Sequence, residues 1–522
     1  MDVGIAVFCL LAIAAIASTR FSARFGVPAL VLFVGLGVFA GSSGPLGIDF
    51  SDYALAYDIG LIALAVILFS GGIETKMRLF QVAIVPSGML ATVGTLITMF
   101  VVGLAAWWLT PLDWWHSLLL GAVISSTDAA AIFSSLKGRG LPSRLRGIVE
   151  TESGTNDPIA LLMTLAIVEA IANGEFDVPG LVVRVVTQLA FGAVAGVVLA
   201  RLLVWLINHL RLEAYGLYPI LALSGGLLIY AVTNLVGGNG FLAAYCAGLV
   251  VGNARLAHRH SVATFSEAIA WGGQILMFMV LGLLVFPERL LPALGVSLAV
   301  TAVVLLVARP IAVFGTLGLL RGMSLGRYSF TVAERTLLSW AGLKGAVPII
   351  LAIIPLRFGV PGAEYIFNVV FVVVIVGTVI QGFTVGPLAQ RLGLAVEEPP
   401  RSPLRLELGG DAPIGATVTD VFIGEDSRAV GARIADLALP GDVVIAAVLR
   451  DGQLVTPRGS TVFQAGDHVY LISDRHDAPT PTAFLPRRLA AREVQVEADA
   501  DGASAAKAEA GTGEPTPPVT GA

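Results

Sequence analysis

The sequence predicts a polytopic, all-α membrane protein of about thirteen transmembrane helices, with inverted repeats, two broken helices that cross, and a small α+β cytoplasmic domain at the C-terminal end. Of its 522 residues, 56% are hydrophobic and 13% are charged, whereas soluble domains carry roughly 25% charged residues. Apolar runs of spanning length follow one another as far as residue 390. The polar residues within these runs are concentrated in three short clusters.

Thirteen apolar runs approach the roughly 20 residues that a helix needs to cross a bilayer. The first run has no basic n-region and no cleavage site, so it is predicted to be a retained span rather than a signal peptide. The runs are residues 2–19, 27–47, 56–74, 83–109, 114–136, 147–173, 180–208, 214–235, 239–254, 265–286, 290–320, 334–356 and 365–390.

Basic residues in the loops predict the orientation, because loops rich in Lys and Arg stay in the cytoplasm. Loops that follow odd-numbered runs carry fourteen basic residues, whereas loops after even-numbered runs carry only Arg289 and Arg357. The N-terminus is therefore expected outside and the C-terminus in the cytoplasm.

The composition gives little support to several other function classes. The net charge of −5 disfavours a nucleic-acid partner. Cys9 and Cys246 lie in apolar runs and offer neither a disulfide framework nor metal-site spacing, and no cofactor is predicted. An enzyme is disfavoured because the clusters lack a nucleophile, a base and an orienting group, and no histidine lies near them.

The first cluster, Ser125-Ser126-Thr127-Asp128, lies in the middle of the fifth run. Short polar side chains of this kind bond to the local backbone and interrupt a helix, and transporters coordinate ions at such interruptions. Ionisable groups at this depth indicate an ion or proton path. The alternative is that the hydroxyls bond back to an intact helix, with Asp128 paired to a basic residue.

The second cluster, residues 150–158, opens the sixth run. Ser153 and Asp157 are four residues apart and share a helix face, and Glu152 and Asn156 form a second pair rotated by one position. Pro158 leaves the carbonyl four residues before it without a donor. A carboxylate, a hydroxyl and a free carbonyl suit a hard cation. The alternative is a cap at a helix start, which explains Glu150 but leaves Asp157 unexplained.

The third cluster, residues 342–348, places two glycines and a proline around Lys344 in the twelfth run. This pattern predicts a second broken helix, and its odd separation from the fifth run makes the two antiparallel, as an inverted repeat requires. Lys344 needs a counter-charge at this depth, for which Glu152 and Asp128 are the candidates.

Two further polar residues lie inside apolar runs. Arg309 is interpreted as a structural cation that neutralises an acid or contacts a broken-helix carbonyl. Gln274 is interpreted as a residue that bonds a neighbouring helix, with a role in lining a path as the alternative.

These three clusters resemble the signature segments of NhaP-type monovalent cation/proton antiporters. The resemblance rests on residues 126–130, 152–158 and 342–348, and it is closest to the potassium/proton antiporter subgroup with a cytoplasmic regulatory tail. It covers about residues 1–395 and 405–475. It implies a multi-pass protein of the bacterial inner membrane that exchanges potassium, or sodium, for protons and forms a homodimer.

The resemblance also implies roles for individual residues. Asp157 would hold the cation and the proton alternately, and Ser153 and Thr127 would complete the shell of the monovalent cation. Asn156 occupies a position where electrogenic relatives have a second aspartate, which implies electroneutral exchange.

Further implied roles concern the support of the site. Glu152 would pair with the basic residue of the twelfth run, and Asp128 would support the crossing. The sequence departs from the family pattern at Lys344, where arginine is frequent, and at Ser70, where relatives commonly have an acid.

The residues after the last run change in character. Residues 1–394 are assigned to the transmembrane domain, 395–404 to a linker, 405–475 to a regulatory domain and 476–522 to a disordered tail. Within the regulatory domain, 443–449 and 468–472 read as strands, Asp451-Gly452 as a hairpin turn and 430–437 as a helix. The domain resembles the C-terminal module of TrkA-type proteins, for which a small-molecule ligand and a purely structural role are both open.

A gated cation channel with a cytosolic ligand-binding domain is the rival to an antiporter. It would account for the regulatory tail. However, the sequence has no short loop rich in Gly and aromatic residues between two spans that would form a selectivity filter.

Overall fold

The computed structural model describes residues 2–25, 28–136, 139–174, 178–210, 212–256, 258–326, 328–397, 417–437, 439, 443–473 and 484. The chain divides into two compact units, Met1–Glu398 and Pro399–Ala522. Among the residues that the structure describes, the regular secondary structure of the first unit is helical apart from one short strand pair, and the second unit contains a β-sheet.

Eighteen helices follow one another within the described residues of the first unit. In chain order they are α1 (Asp2–Phe25), α2 (Ala29–Ala40), α3 (Tyr53–Glu74), α4 (Met77–Met89), α5 (Thr95–Leu109), α6 (Trp114–Ile124), α7 (Ala129–Ser135), α8 (Ser143–Asn173), α9 (Val178–His209), α10 (Leu217–Leu235), α11 (Gly240–Asn253), α12 (Arg259–Leu283), α13 (Pro287–Leu290), α14 (Leu294–Val303), α15 (Arg309–Met323), α16 (Val332–Trp340), α17 (Val347–Arg357) and α18 (Ala363–Arg391).

Many of these helices have the length and composition of transmembrane segments. Eight helical segments in the described part of the chain are long and apolar enough to cross a bilayer, and the shorter apolar helices include α2, α6, α11 and α17. π-Helical turns at Leu90–Gly94 and Val304–Ala308 join α4 to α5 and α14 to α15. The predicted polytopic all-α fold is confirmed, and the number thirteen stays a prediction.

The helices pack as two bundles. The scaffold bundle consists of α1–α3 and α9–α12, with α3 packed extensively on α11 and α12. The site bundle consists of α4–α8 and α13–α18 and contains both interrupted helices. The two bundles meet chiefly where α3 packs on α17 and α11 packs on α8.

Both predicted helix breaks are present. The fifth run is divided into α6 and α7 by residues 125–128, and the twelfth is divided into α16 and α17 by residues 341–346. At the first break the side chain of Asp128 accepts from the backbone N–H groups of Ala130 and Ala131. Short polar side chains favour such local bonds. At the second break Pro348, in the first turn of α17, marks a new helix start, where its missing N–H costs nothing.

Helix α8 departs from the predicted bounds. It begins at Ser143 and continues without interruption through Pro158 to Asn173. Glu150 therefore lies two turns inside the helix, and the interpretation of Glu150 as a cap at the helix start is wrong. Its carboxylate instead accepts from Arg146 Nε at 2.9 Å.

Six strands complete the described structure. In the first unit β1 (Arg139–Gly140) pairs with β2 (Val396–Glu397). The second unit holds an antiparallel sheet of order β3-β6-β4-β5, formed by β3 (Thr417–Phe422), β4 (Val443–Arg450), β5 (Gln453–Val455) and β6 (His468–Ser473).

The second unit confirms most of the local predictions for the tail. Both predicted strands form, and Asp451 and Gly452 adopt positive φ angles of 49° and 78° in the β4–β5 hairpin, as a type I′ turn requires. The predicted helix over 430–437 is wrong, because only Ile434–Asp436 forms a short 3₁₀ turn.

The sheet of the second unit is stabilised by a buried acid. Asp467 accepts from Arg450 Nε and Nη2, each at 2.8 Å, and these bonds raise the pKa of Arg450 above its ordinary value. Of the predicted disordered tail, Phe484 is described, and its ring packs on Phe463 with centroids 5.7 Å apart. The other residues of 476–522, and 398–404 of the linker, lie outside the described residues.

Candidate functional site

The two helix breaks touch in the middle of the site bundle. The backbone N–H of Asp128 donates to the carbonyl of Leu343 at 2.8 Å. Lys344 Nζ reaches back across the crossing and donates to the carbonyls of Ser126 at 2.8 Å and Ser125 at 3.3 Å. Each interrupted helix thus provides hydrogen-bond partners for backbone groups at the break of the other. Buried backbone N–H and C=O groups need such partners.

Two glycines permit this close crossing. A Cβ at Gly345 would overlap the side chain of Asp128, and one at Gly342 would overlap the guanidinium of Arg309. The glycines of the third cluster therefore supply space for charged side chains from other helices.

The partner of Glu152 is Arg309 and not the predicted Lys344. Arg309 Nη1 donates to Glu152 Oε1 at 2.9 Å, and the side chains are 3% and 4% exposed. Arg309 Nη2 also reaches the carbonyl of Leu338 at 3.4 Å. The predicted structural role of Arg309 thus agrees with its contacts. In the described part of the chain Lys344 has no carboxylate within 4 Å, so the predicted pairing with Glu152 or Asp128 is wrong.

Asp128 caps α7. Its Oδ1 accepts from the backbone N–H groups of Ala130 at 2.9 Å and Ala131 at 3.2 Å. A carboxylate at this position satisfies amides that a helix start leaves open. The alternative of an Asp128 ion pair on an intact helix is excluded by these bonds and by the break.

Helix α8 holds the first break through two side chains. Ser153 Oγ donates to the carbonyl of Thr127 at 2.8 Å and accepts from the N–H of Ala129 at 3.1 Å. Asn156 Nδ2 donates to Thr127 Oγ1 at 2.6 Å, and Asn156 Oδ1 accepts from the N–H of Thr127 at 3.4 Å. The structure therefore brings Thr127, Ser153 and Asn156 into one bonded group.

Asp157 lies one helical turn beyond Ser153 on the same face of α8. Its side chain is buried, with the residue 5% exposed, and Oδ1 has no hydrogen-bond partner among the described residues. A buried carboxylate oxygen without a partner costs free energy unless a ligand, a proton or water satisfies it. Asp157 is thus the open acceptor of the site.

A cavity of about 250 Å³ connects Asp157 to one end of the helical unit. The site bundle contributes Asp128, Ala129, Ala130, Phe133, Arg146, Glu150, Ser153, Gly154, Asp157, Ala346 and Val347. The scaffold bundle contributes Leu64, Ile67, Leu68, Gly71, Glu74, Thr75, Tyr245, Gln274, Met277 and Phe278. The exposed residue Glu74 and the partly exposed side chain of Arg146 mark its mouth, which we call the open end.

Several lining residues were not identified from sequence. Glu74 and Glu150 place two carboxylates along the route to Asp157, and the charge of Glu74 at the end of an apolar run was the available signal. Tyr245 packs its ring on Gly154, where a Cβ would come within 2.8 Å of Cε2. Nothing in the sequence signals that contact between α11 and α8.

The opposite end of the unit, which we call the closed end, is sealed between the two bundles. Gly60 of α3 packs on Ile350 of α17, where a Cβ would lie 3.1 Å from Cγ1. Farther out, Arg357 Nη1 pairs with Asp58 Oδ1 at 3.2 Å. A second pair, Arg184 with Glu169 at 2.6 Å, joins α9 to α8.

Ser70 and Gln274 differ in their relation to the cavity. Ser70 is buried and is absent from the lining, whereas Glu74, one turn farther along α3, lines it. Gln274 has no hydrogen bond to the described protein and lines the cavity. The interpretation of Gln274 as a bond to a neighbouring helix is therefore wrong, and the path-lining alternative agrees with its position.

Two family descriptions match the chain. "Sodium/hydrogen exchanger, transmembrane" matches residues 11–391, and "TrkA-C domain" matches residues 418–480. The first covers the whole helical unit apart from its ends, and the second covers the β-sheet of the second unit.

Named relatives agree with these matches. The K(+)/H(+) antiporter NhaP2 of Shewanella sp. (strain ANA-3) is 41% identical over 463 residues, which are 88% of this chain and 79% of that protein. The K(+)/H(+) antiporter NhaP of Alkalimonas amylolytica is 37% identical over 94% of this chain and 85% of its own length. None of these names supports the channel alternative.

A solved structure shares the fold. The sodium proton antiporter MjNhaP1 of Methanocaldococcus jannaschii at pH 8 superimposes with a TM-score of 0.63 over 75% of this chain and 99% of that chain, at 21% sequence identity.

Proposed function

This chain belongs to the sodium/hydrogen exchanger family, and from that premise we propose that it is a secondary antiporter that exchanges potassium for protons across the membrane, with sodium as a further substrate. The observation that carries the proposal is Asp157, which lines a cavity that reaches one end of the protein and whose buried carboxylate has an oxygen without a hydrogen-bond partner among the described residues. The K(+)/H(+) names of the relatives that are about 40% identical support potassium.

The exchange follows from competition at Asp157. A cation at the carboxylate and a proton on it are mutually exclusive, so loading either ion displaces the other. Asp157 is joined by Ser153 and Thr127 in the proposed cation shell, with Asn156 holding Thr127 in place. Asn156 carries no charge, so in the proposed site one cation replaces one proton at Asp157. One-for-one exchange of two monovalent ions predicts electroneutral transport.

Access alternates by movement of one bundle against the other. The open end admits ions past Glu74 and Glu150, while the contacts of α3 with α17 close the far end. Tilting the site bundle would close the first route and open the second, as the rigid-body mechanism of other transporters requires.

The remaining assignments extend this proposal. We assign the open end to the cytoplasmic face of the bacterial inner membrane, with the N-terminus outside and the C-terminus inside, and we expect a homodimer. The transmembrane domain at 1–394, the linker at 395–404, the regulatory domain at 405–475 and the tail at 476–522 stay predictions, as does a small-molecule ligand of the regulatory domain.

Proton flux in everted vesicles tests the function. Addition of K⁺, Na⁺ or Li⁺ to vesicles with an imposed pH gradient should release protons in a saturable way in the presence of the protein. Single-channel currents in planar bilayers, or flux that does not depend on the cation, would contradict the antiporter.

A further inference from the structure

The scaffold wall of the cavity is mostly apolar, and Gln274 interrupts it. Leu64, Leu68, Met277 and Phe278 surround this part of the lining. A side-chain amide at such a place costs free energy unless its polar atoms are satisfied. Gln274 is partly exposed and no described protein group bonds to it, so its amide is available to a species that enters the cavity.

Gln274 lies at about the depth of Asp157. Helices α8 and α12 both begin at the open end, since Arg259 at the start of α12 donates to the carbonyl of Gly252 near the end of α11, and Asn253 there bonds Thr75 at the cavity mouth. Asp157 is fourteen residues into α8 and Gln274 is fifteen residues into α12. At 1.5 Å per residue, these positions lie about 21 and about 22 Å from the helix starts.

The site bundle alone offers few free oxygen atoms. Ser153 Oγ, Thr127 Oγ1 and Asp128 Oδ1 each already accept one protein hydrogen bond, whereas Asp157 Oδ1 and Ser126 Oγ have no partner among the described residues. An alkali cation that leaves water needs several oxygen atoms in place of its hydration shell, and carbonyl dipoles are suited to that task. Part of the shell must therefore come from water or from the opposite wall.

The other polar groups of the scaffold wall lie nearer the mouth of the cavity than Gln274 does. The buried hydroxyl of Tyr245 has no hydrogen-bond partner among the described residues, but Tyr245 is eight residues before the end of α11 at the open end, about 12 Å along the helix, and Glu74 lies at the mouth itself. Gln274 is the neutral side chain of the scaffold wall at about the depth of Asp157.

We propose that the amide carbonyl of Gln274 is a ligand of the transported monovalent cation, supplied by the scaffold bundle and facing Asp157 across the cavity. The inference rests on the proposed function, because it concerns the ion that exchanges at Asp157. A ligand contributed by the scaffold makes cation affinity depend on how the two bundles face each other, and Gln274 thereby affects the choice between potassium and sodium.

Two substitutions separate an oxygen ligand from a structural amide. Gln274→Met keeps the size and removes the oxygen, so we expect the K⁺ concentration for half-maximal proton flux to rise about tenfold in proteoliposomes of the full-length chain, with an altered K⁺/Na⁺ ratio. Gln274→Glu keeps an oxygen and removes the amide donor, so its half-maximal K⁺ concentration should stay equal to the wild-type value or fall. Gln81→Met, an exposed change on α4 outside the lining, should behave as wild type.

The results with these variants test the ligand role of Gln274. An unchanged half-maximal concentration and ion ratio in Gln274→Met would overturn the ligand role, and so would a rise in Gln274→Glu equal to that in Gln274→Met. Should Gln274→Met fail to fold, the half-maximal concentration of Gln274→Glu still decides by its direction. Absence of cation-driven flux in the wild type would instead contradict the proposed function, and K⁺-dependent thermal stabilisation of the same variants in detergent would still test the ligand.

Discussion

Arg309 of α15 donates to Glu152 of α8 at 2.9 Å, with both side chains almost completely buried in the site bundle. Glu152 lies immediately before Ser153, which holds the first helix break, and Arg309 reaches the last turn of α16 before the second break. The pair thus connects α15 and α8 to α16, the helix that ends at the second break. Breaking it should disturb the geometry around Asp157 without removing any proposed ligand.

Single substitutions of this pair should destabilise the protein strongly. Glu152→Gln or Arg309→Met leaves one buried charge uncompensated, for which about 3–5 kcal/mol is typical. The double variant removes both charges and should be less destabilised than the sum of the single variants. Thermal unfolding of all four proteins in detergent measures the coupling, and additive effects would show that the two side chains do not interact.

Gly345 should tolerate no side chain. A Cβ there overlaps Asp128 Oδ2, so Gly345→Ala must displace the carboxylate that caps α7, and a lost cap costs about 1 kcal/mol in addition to the strain. We expect cation-driven flux to fall at least tenfold. Gly377→Ala on α18, where nothing lies within 4 Å of the added Cβ, is the control and should retain flux; equal activity of both variants would refute the close crossing.

Asn156 should contribute to stability through its hydrogen bonds to Thr127. Asn156→Ala removes both bonds to Thr127 and leaves a buried N–H and hydroxyl without a partner, which costs about 1–3 kcal/mol for each group. Asn156→Asp keeps an acceptor for the Thr127 N–H, and the Thr127 hydroxyl, which accepts from Asn156 Nδ2, can turn to donate to the second carboxylate oxygen. We therefore expect Asn156→Ala to lose more thermal stability than Asn156→Asp, and the reverse order would contradict the bonding at Thr127.

The closed end should have to open in every cycle. Arg357 and Asp58 join the two bundles there, so a covalent link between Asp58→Cys and Arg357→Cys should abolish flux, and reduction should restore it. The matched control is the pair Arg289 and Glu364, whose Nη1 and Oε2 atoms lie 3.4 Å apart within the site bundle. A link between cysteines at these two positions should leave flux intact, and full activity of the linked Asp58–Arg357 variant would contradict alternating access at this end.

Local sequence patterns predicted the helix breaks because their causes are local. Ser125–Asp128 carries its own competing hydrogen-bond partners, and Gly345 and Pro348 disfavour a continuous helix. The hydrogen-bonded group of Thr127, Ser153 and Asn156 could also be predicted, since the resemblance placed these residues in one site. The roles of these residues in transport stay predictions.

Features that depend on packing between distant helices were missed. Lys344 and Arg309 are both buried cations, and the sequence gives no sign that α15 rather than α17 approaches Glu152. Gln274 and Tyr245 lie on α12 and α11, whose approach to α8 is set by the packing of the two bundles. The predicted helix over 430–437 failed because its apolar residues pack into the small domain from turns.

The central claim is that one carboxylate, Asp157, binds cation and proton in turn, and proton flux through Asp157→Asn tests it most directly. The wild-type protein in everted vesicles should release protons on addition of K⁺ across a pH series, whereas Asp157→Asn should release none at any pH while keeping the thermal unfolding temperature of a folded protein. Cation-driven flux at the wild-type rate in folded Asp157→Asn would contradict the account.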